Sequence, residues 1–464
     1  MSLDLVDLDA DSTSTTLSPA ILGASLSDSG NAQRLVALYG DQIRYLAAAE
    51  SWLIWDGRRW QADETGEIWR LAKSTALTIY QEASVALEDG DRKRVANHAL
   101  RSESETKLRS MISLARWEPG VAVKLDDLNA DPFLLTVGNG TLDLRTGELR
   151  PPDRRDLITK GTEIDYEPEA ECPTWLRFLE EIYAGDQELI DFDQRWIGYT
   201  LTGSTKEHAV RIDHGPLGRN GKSVHAKIQT ALLGEYVQTA AFQTFLRTRS
   251  DQVREDLARL AGARLVIANE AGKGRRLDEA TVKTLSGGDR VTARHLYRDS
   301  FEFTPTYKIQ LVTNDRPRIE GGDEAIWSRL REVPYAVSFR GREDRELSTK
   351  LEAELPGILA WAVQGCLAWQ ESGLGSAAAI EEATNQYRAD EDLLGAFIEE
   401  CLETEGRIEV AELRRLYEAY VEEAGEQPLN GSRLGRELSH RGISRGGKAR
   451  RYYVGLSAKG GGSR

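Results

Sequence analysis

VRIDHGPLGRNGKSVHAKIQTALLG, residues 210–234, is the stretch on which the fold turns. A short expected strand, VRI at 210–212, enters a glycine-rich turn, and the turn opens a helix that ends near Gly234. That order suits a loop wrapped around phosphate. Glycines let backbone N–H groups converge and the helix N-terminus faces the anion. A lysine pairs with the β- and γ-phosphates, and a hydroxyl meets Mg²⁺. Lys222 and Ser223 supply the last two, and Gly218, Arg219, Asn220, Gly221 and Val224 complete the stretch expected against ATP. The spacing departs from G-x-x-x-x-G-K-[ST]: Gly215 and Gly221 enclose five residues, and Pro216 stands where the first glycine belongs. The extra residue is expected to bulge at Pro216–Leu217, upstream of the phosphate contacts.

Outward from this loop, residues 209 to about 340 alternate short apolar strands with helices, which predicts an α/β core with a parallel sheet. A phosphate loop needs a carboxylate on a neighbouring strand end to hold metal and polarise water. ARLVIANE, 263–270, ends a fully apolar run at Glu270, so Ser223 and Glu270 are the expected Mg²⁺ ligands. A further strand, KIQLVTN at 308–314, ends in Asn314, which either positions the attacking water beside the γ-phosphate or caps the turn into DRPR.

The whole chain has 464 residues, room for about three domains. No apolar run is long enough for a membrane span, and residues 1–30, rich in Ser, Thr and Asp, are expected to be a disordered tail rather than a signal sequence. Cys172, Cys366 and Cys401 are far apart without a C-x-x-C partner, which argues against zinc and fits a reducing cytoplasm. Net charge is −15, which argues against indiscriminate coating of nucleic acid, yet residues 432–464 carry nine Lys/Arg against one acid. Residues 31–160 read as an α+β domain with a hairpin at Asp56–Gly57 and turns at Asn139–Gly140 and Thr146–Gly147; 161–205 read as helical, and 206–375 as the ATPase core. Past the small-residue stretch 373–379, residues 380–464 read as three helices followed by a two-stranded hairpin, the order of a winged helix-turn-helix. Its third helix offers Arg433, Arg436 and Arg441 to DNA, and its wing offers Arg445, Lys448, Arg450 and Arg451.

Taken in order, GRNGKSV, LVIANE, the basic–aromatic stretch KTLSGGDRVTARHLYRDSFEF, QLVTN and IWSRLR resemble the core of superfamily 3 helicases, in particular the phage and plasmid primase-helicases related to a poxvirus replication protein. The likeness covers roughly 170–460 well and 31–160 more loosely. It implies an AAA+-type P-loop core, a hexameric ring, and ATP hydrolysis coupled to 3′ to 5′ movement on single-stranded or forked DNA. The setting would be the bacterial host cytoplasm, with a separate primase or replication proteins as partners and no membrane. By that resemblance Lys222, Glu270 and Asn314 are catalytic, and Arg329, with Arg331 as the alternative, reaches the neighbouring subunit's nucleotide. Lys283, Arg294, His295, Tyr297 and Arg298 fall where that group grips DNA. Residues 31–160 are too few for a primase-polymerase, so no priming activity is expected in this chain. Two other readings stay open: a P-loop ATPase or kinase without motor action, and an origin-binding or loader protein that uses ATP as an assembly switch.

Overall fold

The structure, a computed structural model, describes residues 21, 23–247, 255–270, 272, 274–294, 300–319, 324–425, 427–447 and 451–459. It forms two compact units, one from residues 1–142 and 149–161, the other from 143–148 and 162–464.

In the first unit a helix begins at Asp28, because the Ser27 hydroxyl caps it by accepting from the Gly30 N–H at 3.1 Å. Residues 28–30 therefore belong to this helix and not to a tail, while 1–20 and 22 lie outside the described residues. The hairpin Ser51–Trp55 to Trp60–Ala62 turns at Asp56–Gly57 as expected. The Asp56 carboxylate accepts from the N–H groups of Arg58 and Arg59, and Gly57 takes the left-handed φ of 103° that the turn requires. Helices Glu67–Val85, Asp89–Ser102 and Glu105–Ala115 come next, with Ile68, Leu71, Ala72, Leu108 and Met111 in one apolar cluster.

The second unit is built on a five-stranded parallel sheet. Its strands in chain order are β1 (Val210–His214), β2 (Val237–Ala241), β3 (Leu265–Asn269), β4 (Lys308–Thr313) and β5 (Leu330–Pro334). Their spatial order is β5-β1-β4-β3-β2, so the first strand lies inside the sheet between β5 and β4. Parallel strands need both faces covered, and here the two faces are covered differently. Val210, Ile212, Val266, Ala268, Ile309 and Leu311 point into an apolar cluster on one face. The alternate residues Arg211, Asp213, Lys308 and Gln310 are buried on the other.

The helix α2 (Gln187–Leu201), reached from α1 (Pro173–Ile182), lies over this polar face: Trp196 donates its indole N–H to Gln310 at 3.2 Å, and Lys308 donates to the carbonyls of Thr202 and Ser204 just past the helix end. A cation at a helix C-terminus is favourable, although burial first, and the nearby Arg264, push the Lys308 ammonium well below the ordinary lysine range. Within the expected helical span 161–205, α1 and α2 fold as an integral layer of the second unit, whereas Gly161 belongs to the first unit and 162–172 are not helical.

After β1 the chain enters α3 (Lys222–Leu233), and after β3 it enters α4 (Glu279–Ser286). An antiparallel ribbon then joins Val291–Arg294 to Ser300–Phe303, with Val291 opposite Phe303. Long α5 (Leu355–Ser372) packs on α2 so closely that a Cβ at Gly198 would meet the Cys366 nitrogen at 2.1 Å. The helix α6 (Ala378–Glu391) lies in the span expected for the C-terminal unit, yet its Tyr387 joins the core cluster and its Thr384 hydroxyl accepts from the Glu332 N–H of β5. The apolar side chains Ile380 and Tyr387 are the reason: both are buried.

The remaining chain forms α7 (Leu393–Cys401), α8 (Val410–Glu423), α9 (Gly431–His440) and a small sheet in which Arg407–Glu409, Tyr452–Val454 and Ser444–Gly446 lie side by side. The expected two-stranded hairpin is therefore three-stranded, with Arg407–Glu409 between the first and second helices supplying the third strand. Leu434 and Leu438 of α9 face inward, as their spacing predicts.

Candidate active site

Because β1, β3 and β4 are parallel and adjacent, their C-terminal ends emerge on one edge, where open α/β sheets hold ligands. The glycine-rich loop leaves β1, Glu270 leaves β3 and Asn314 leaves β4. Together with Ser223, Thr239 and Asn269 they line a cleft of about 250 Å³ around Lys222. Lys222 is 4% exposed and donates to Asn314 Oδ1 at 3.0 Å and to the Gly215 carbonyl at 2.9 Å. Burial lowers its pKa, and the Asp213 carboxylate opposes that shift. Ser223 is exposed to the same cleft.

The geometry gives the offset glycine a job. A side chain at Gly215 would place its Cβ 2.2 Å from Asn220 Nδ2 and 2.6 Å from the Tyr335 carbonyl. Asn220, 3% exposed, donates that amide to the Leu217 carbonyl at 2.7 Å and so closes the turn over Pro216–Leu217. Leu217 itself is exposed, as a bulge upstream of Lys222 should be. Arg219, at φ 62°, and Gly221, at φ 90°, complete the reversal into the helix, and a Cβ at Gly221 would strike Ile182 of α1 at 2.5 Å. By contrast a Cβ at Gly218 meets nothing within 4 Å. The segment after β5 braces the loop from outside: the Phe339 N–H donates to the Arg219 carbonyl at 2.8 Å, Ser338 Oγ to the Gly218 carbonyl at 3.4 Å, and Arg219 pairs with Glu343.

Glu270 is the strained member. Its φ is 65°, a conformation that a non-glycine residue rarely adopts, and it is held there by its N–H donating to the Val312 carbonyl at 2.9 Å. The carboxylate is exposed to the cleft. Mg²⁺ keeps several waters and takes only one or two protein oxygens beside phosphate, and the Ser223 hydroxyl and Glu270 carboxylate fit that donor set.

Beneath the loop lies a charged network with no signature in the motif. Arg211 of β1 is fully buried between Asp193 of α2 and Asp213, at 2.6 Å from the latter, with the hydroxyls of Tyr183 and Tyr335 at 3.1 and 3.2 Å. His225, one turn into α3, bonds Asp193 at 2.8 Å. Burial alone would raise the Asp193 pKa, but the His225 and Arg211 charges overcome it and hold the carboxyl at about 2. The sequence signal for this network is the polar alternation R-x-D in a strand that has no exposed face.

Arg329 is elsewhere. Its carbonyl accepts from Val210 N–H at the start of β1, the opposite end of the sheet from Lys222, about 15 Å away at roughly 3.3 Å per strand residue. Its guanidinium donates to Ser286 Oγ at 3.1 Å, at the end of α4 and near the Lys283 carbonyl. Arg331 is half-buried and donates to the Ser328 and Leu330 carbonyls. Neither reaches the cleft of its own chain. Of the expected DNA contacts, His295, Tyr297, Arg298, Lys448 and Arg450 lie outside the described residues, as does the side chain of Arg294. Arg436 and Arg445 line one recess with Arg414 beside Tyr453, and Arg451 is exposed. Arg433 and Arg441 face a different cleft, where Arg441 makes a two-pronged pair with Asp392 at 2.9 and 2.6 Å. The DNA-facing set drawn from the sequence is thus divided between two surfaces.

Residues 32–184 match the family described as D5 N terminal like, and residues 214–329 match a family of unknown function, DUF5906, over the stretch that holds Lys222, Glu270 and Asn314. The chain is similar to viral proteins named putative helicases and primases. Among these relatives, "Putative helicase L207/L206" of Acanthamoeba polyphaga mimivirus is 25% identical over 310 residues, covering 62% of this chain and 32% of that protein. "Putative helicase 022R" of Frog virus 3 is 27% identical over 299 residues, 60% of this chain and 29% of that protein. "Putative primase C962R" of African swine fever virus is 26% identical over 225 residues, 46% and 23%. The chain thus spans under a third of the length of these relatives. The fold of this chain is similar to that of the apo C-terminal region of NrS-1, with a TM-score of 0.50, 11% identity, and coverage of 92% of this chain and 99% of that one.

Proposed function

We propose that this protein is an ATP-driven DNA helicase of a phage, prophage or plasmid, acting as a ring on single-stranded and forked DNA with 3′ to 5′ polarity and without priming activity of its own. The observation that carries the reading is the convergence of Lys222, Glu270 and Asn314 from three adjacent strand ends on one cleft. A buried lysine held by two neutral oxygens exchanges them for phosphate oxygens, a charge-assisted and stronger bond. Asn314, released from Lys222, is then placed to orient water at the γ-phosphate, and Glu270 to polarise it. The Ser223 hydroxyl and the Glu270 carboxylate would hold Mg²⁺, which would supply neutralisation of phosphate charge.

Arg329, remote from its own cleft, suits a role on a neighbouring subunit's nucleotide, which is why a ring is part of the reading. The sheet order and the loop at its inner strand support an AAA+-like core. The helix–strand–helix–helix–ribbon order of residues 393–454 supports a winged helix-turn-helix module.

Strand displacement on forked DNA, with each tail labelled in turn, tests motor activity and direction together. Lys222→Ala and Glu270→Gln should both abolish unwinding, and Arg329→Ala should keep ATP binding while losing hydrolysis. ATP-dependent assembly with full DNA binding and negligible turnover would instead mark an assembly switch. Turnover indifferent to DNA in a monomer would mark an ATPase without motor action.

A further inference from the structure

The phosphate loop has a second chamber on its other side, of about 560 Å³. Its floor is Gly221 and Val224 of the loop and the first turn of α3, its walls are Phe178 of α1 and Phe339, and Leu347 closes the far side. The chamber therefore begins where the phosphate cleft ends, separated from it by the backbone of residues 221–224. A triphosphate lying on those N–H groups has its γ-end at Asn314 and Glu270, so its α-end leaves toward Val224.

Beyond its α-phosphate a nucleotide carries a sugar and a flat aromatic base. A volume of this size walled by two phenylalanines and two aliphatic side chains matches such a group. Charged side chains line it as well: Arg219–Glu343 and Lys350–Asp344 pair with one another, and Arg177 and Glu181 also face the chamber. Arg342, which also lines the chamber, lies 5.7 Å from the Phe339 ring centroid.

We propose that this chamber holds the base of the bound nucleoside triphosphate, stacked on Phe339 with the buried Phe178 as part of the wall, and that the 338–344 segment is the lid of that base site. The proposal rests on the ATPase reading of the Lys222 cleft. It adds a consequence for the loop: the lid touches the phosphate loop through Phe339 N–H to Arg219 and through Arg219–Glu343, so a base seated under Phe339 also steadies the loop that holds the phosphates.

The test is titration of the full chain, in Mg²⁺ buffer, with ATP and with inorganic tripolyphosphate, which has the phosphates and no base. Wild type should bind ATP more tightly than tripolyphosphate by about five- to a hundredfold, the range of one aromatic–base stack. Phe339→Ala should bring ATP down toward the tripolyphosphate level while tripolyphosphate stays within about twofold. Leu347→Trp, which fills the chamber from the opposite wall, should do the same, and retained tripolyphosphate binding certifies that both variants fold. Equal wild-type affinities for the two ligands, or variants that leave ATP binding unchanged, overturn the proposal. So does an equal loss of both ligands in both variants. If wild type binds neither ligand, the nucleotide reading of the Lys222 cleft fails first and is told apart from failure of the base site.

Discussion

Replacing Asp193 by alanine strikes the network under the phosphate loop and gives a number to check. Asp193 is fully buried and accepts from Arg211 with one oxygen and from His225 with the other. Breaking a buried ion pair by removing one partner costs about 3–5 kcal/mol, because the remaining charge stays buried. Here Arg211 keeps Asp213 at 2.6 Å and two tyrosine hydroxyls, so the expected cost is about 3 kcal/mol, at the low end of that range. Asp193→Asn should cost about half as much. Its amide can still accept from Arg211 and donate to His225 Nε2, and Gln229, whose Oε1 has no partner, can turn to accept from Nδ1.

The pH dependence has a definite sign. The Asp193 pKa is depressed from 3.8 to about 2, so its stabilisation is fully present above pH 3.8 and is lost as pH falls through 2. A gap of about two units is worth about 2–3 kcal/mol. Urea unfolding should therefore show wild type about 3 kcal/mol more stable than Asp193→Ala at pH 7, with the difference shrinking as pH falls from 4 toward 2. A difference under about 1 kcal/mol at pH 7, or one that stays constant down to pH 2, refutes the account of Arg211 as a charge dependent on Asp193.

Gly215→Ala should weaken ATP binding at least about tenfold in a titration, because the new methyl displaces Asn220 and reopens the turn that places Lys222. Glu270→Gly should raise the melting temperature, by about 1 kcal/mol of relieved left-handed strain, while ATP turnover disappears; a lower melting temperature would remove strain from the description of that residue. Gly198→Ala should destabilise the second unit by about 3 kcal/mol or more in the same urea assay, since helices α2 and α5 must separate to admit the methyl 2.1 Å from the Cys366 nitrogen. If the protein acts as the proposed ring, Arg329→Ala and Lys222→Ala, each inactive alone, should regain partial hydrolysis when mixed, because a mixed ring would contain interfaces with one intact lysine and one intact arginine; no recovery at any ratio would deny Arg329 the proposed role in trans.

What the sequence made legible here is what is contiguous in it. The strand–glycine turn–helix at 210–234 names its own structure because each part is specified by neighbours within a few residues. The same is true of the apolar run ending at Glu270 and of the hairpin at Asp56–Gly57. Two things were not legible, for one physical reason. R-x-D in β1 and K-x-Q in β4 alternate as if one face met water, yet both strands are buried almost throughout. Only the register that sets Gln310 beside Arg211, and the placement of α2 over them, shows that those polar groups satisfy one another. The division of the C-terminal arginines was hidden in the same way, since Arg441 is committed by Asp392, 49 residues earlier, and not by anything near it in the chain.

The position of β1 links these pieces physically. It is the first strand of the sheet in chain order yet sits inside it, so its two ends face opposite edges of the layer. The C-terminal end carries the loop that fixes Lys222; the N-terminal end is bonded to the carbonyl of Arg329. Between them, Arg211 and Asp213 tie the strand to Asp193 of α2 and, through it, to His225 in the first turn of the helix that Lys222 begins. A displacement of the loop by bound phosphate is therefore borne by a strand that cannot yield locally, because moving it would expose buried charge at a cost of about 3–5 kcal/mol. The same stiffness fixes Arg329 relative to the cleft of its own chain. If an arginine from a second copy completes each site, the rigid strand would transmit the state of one nucleotide to the residue that serves the next.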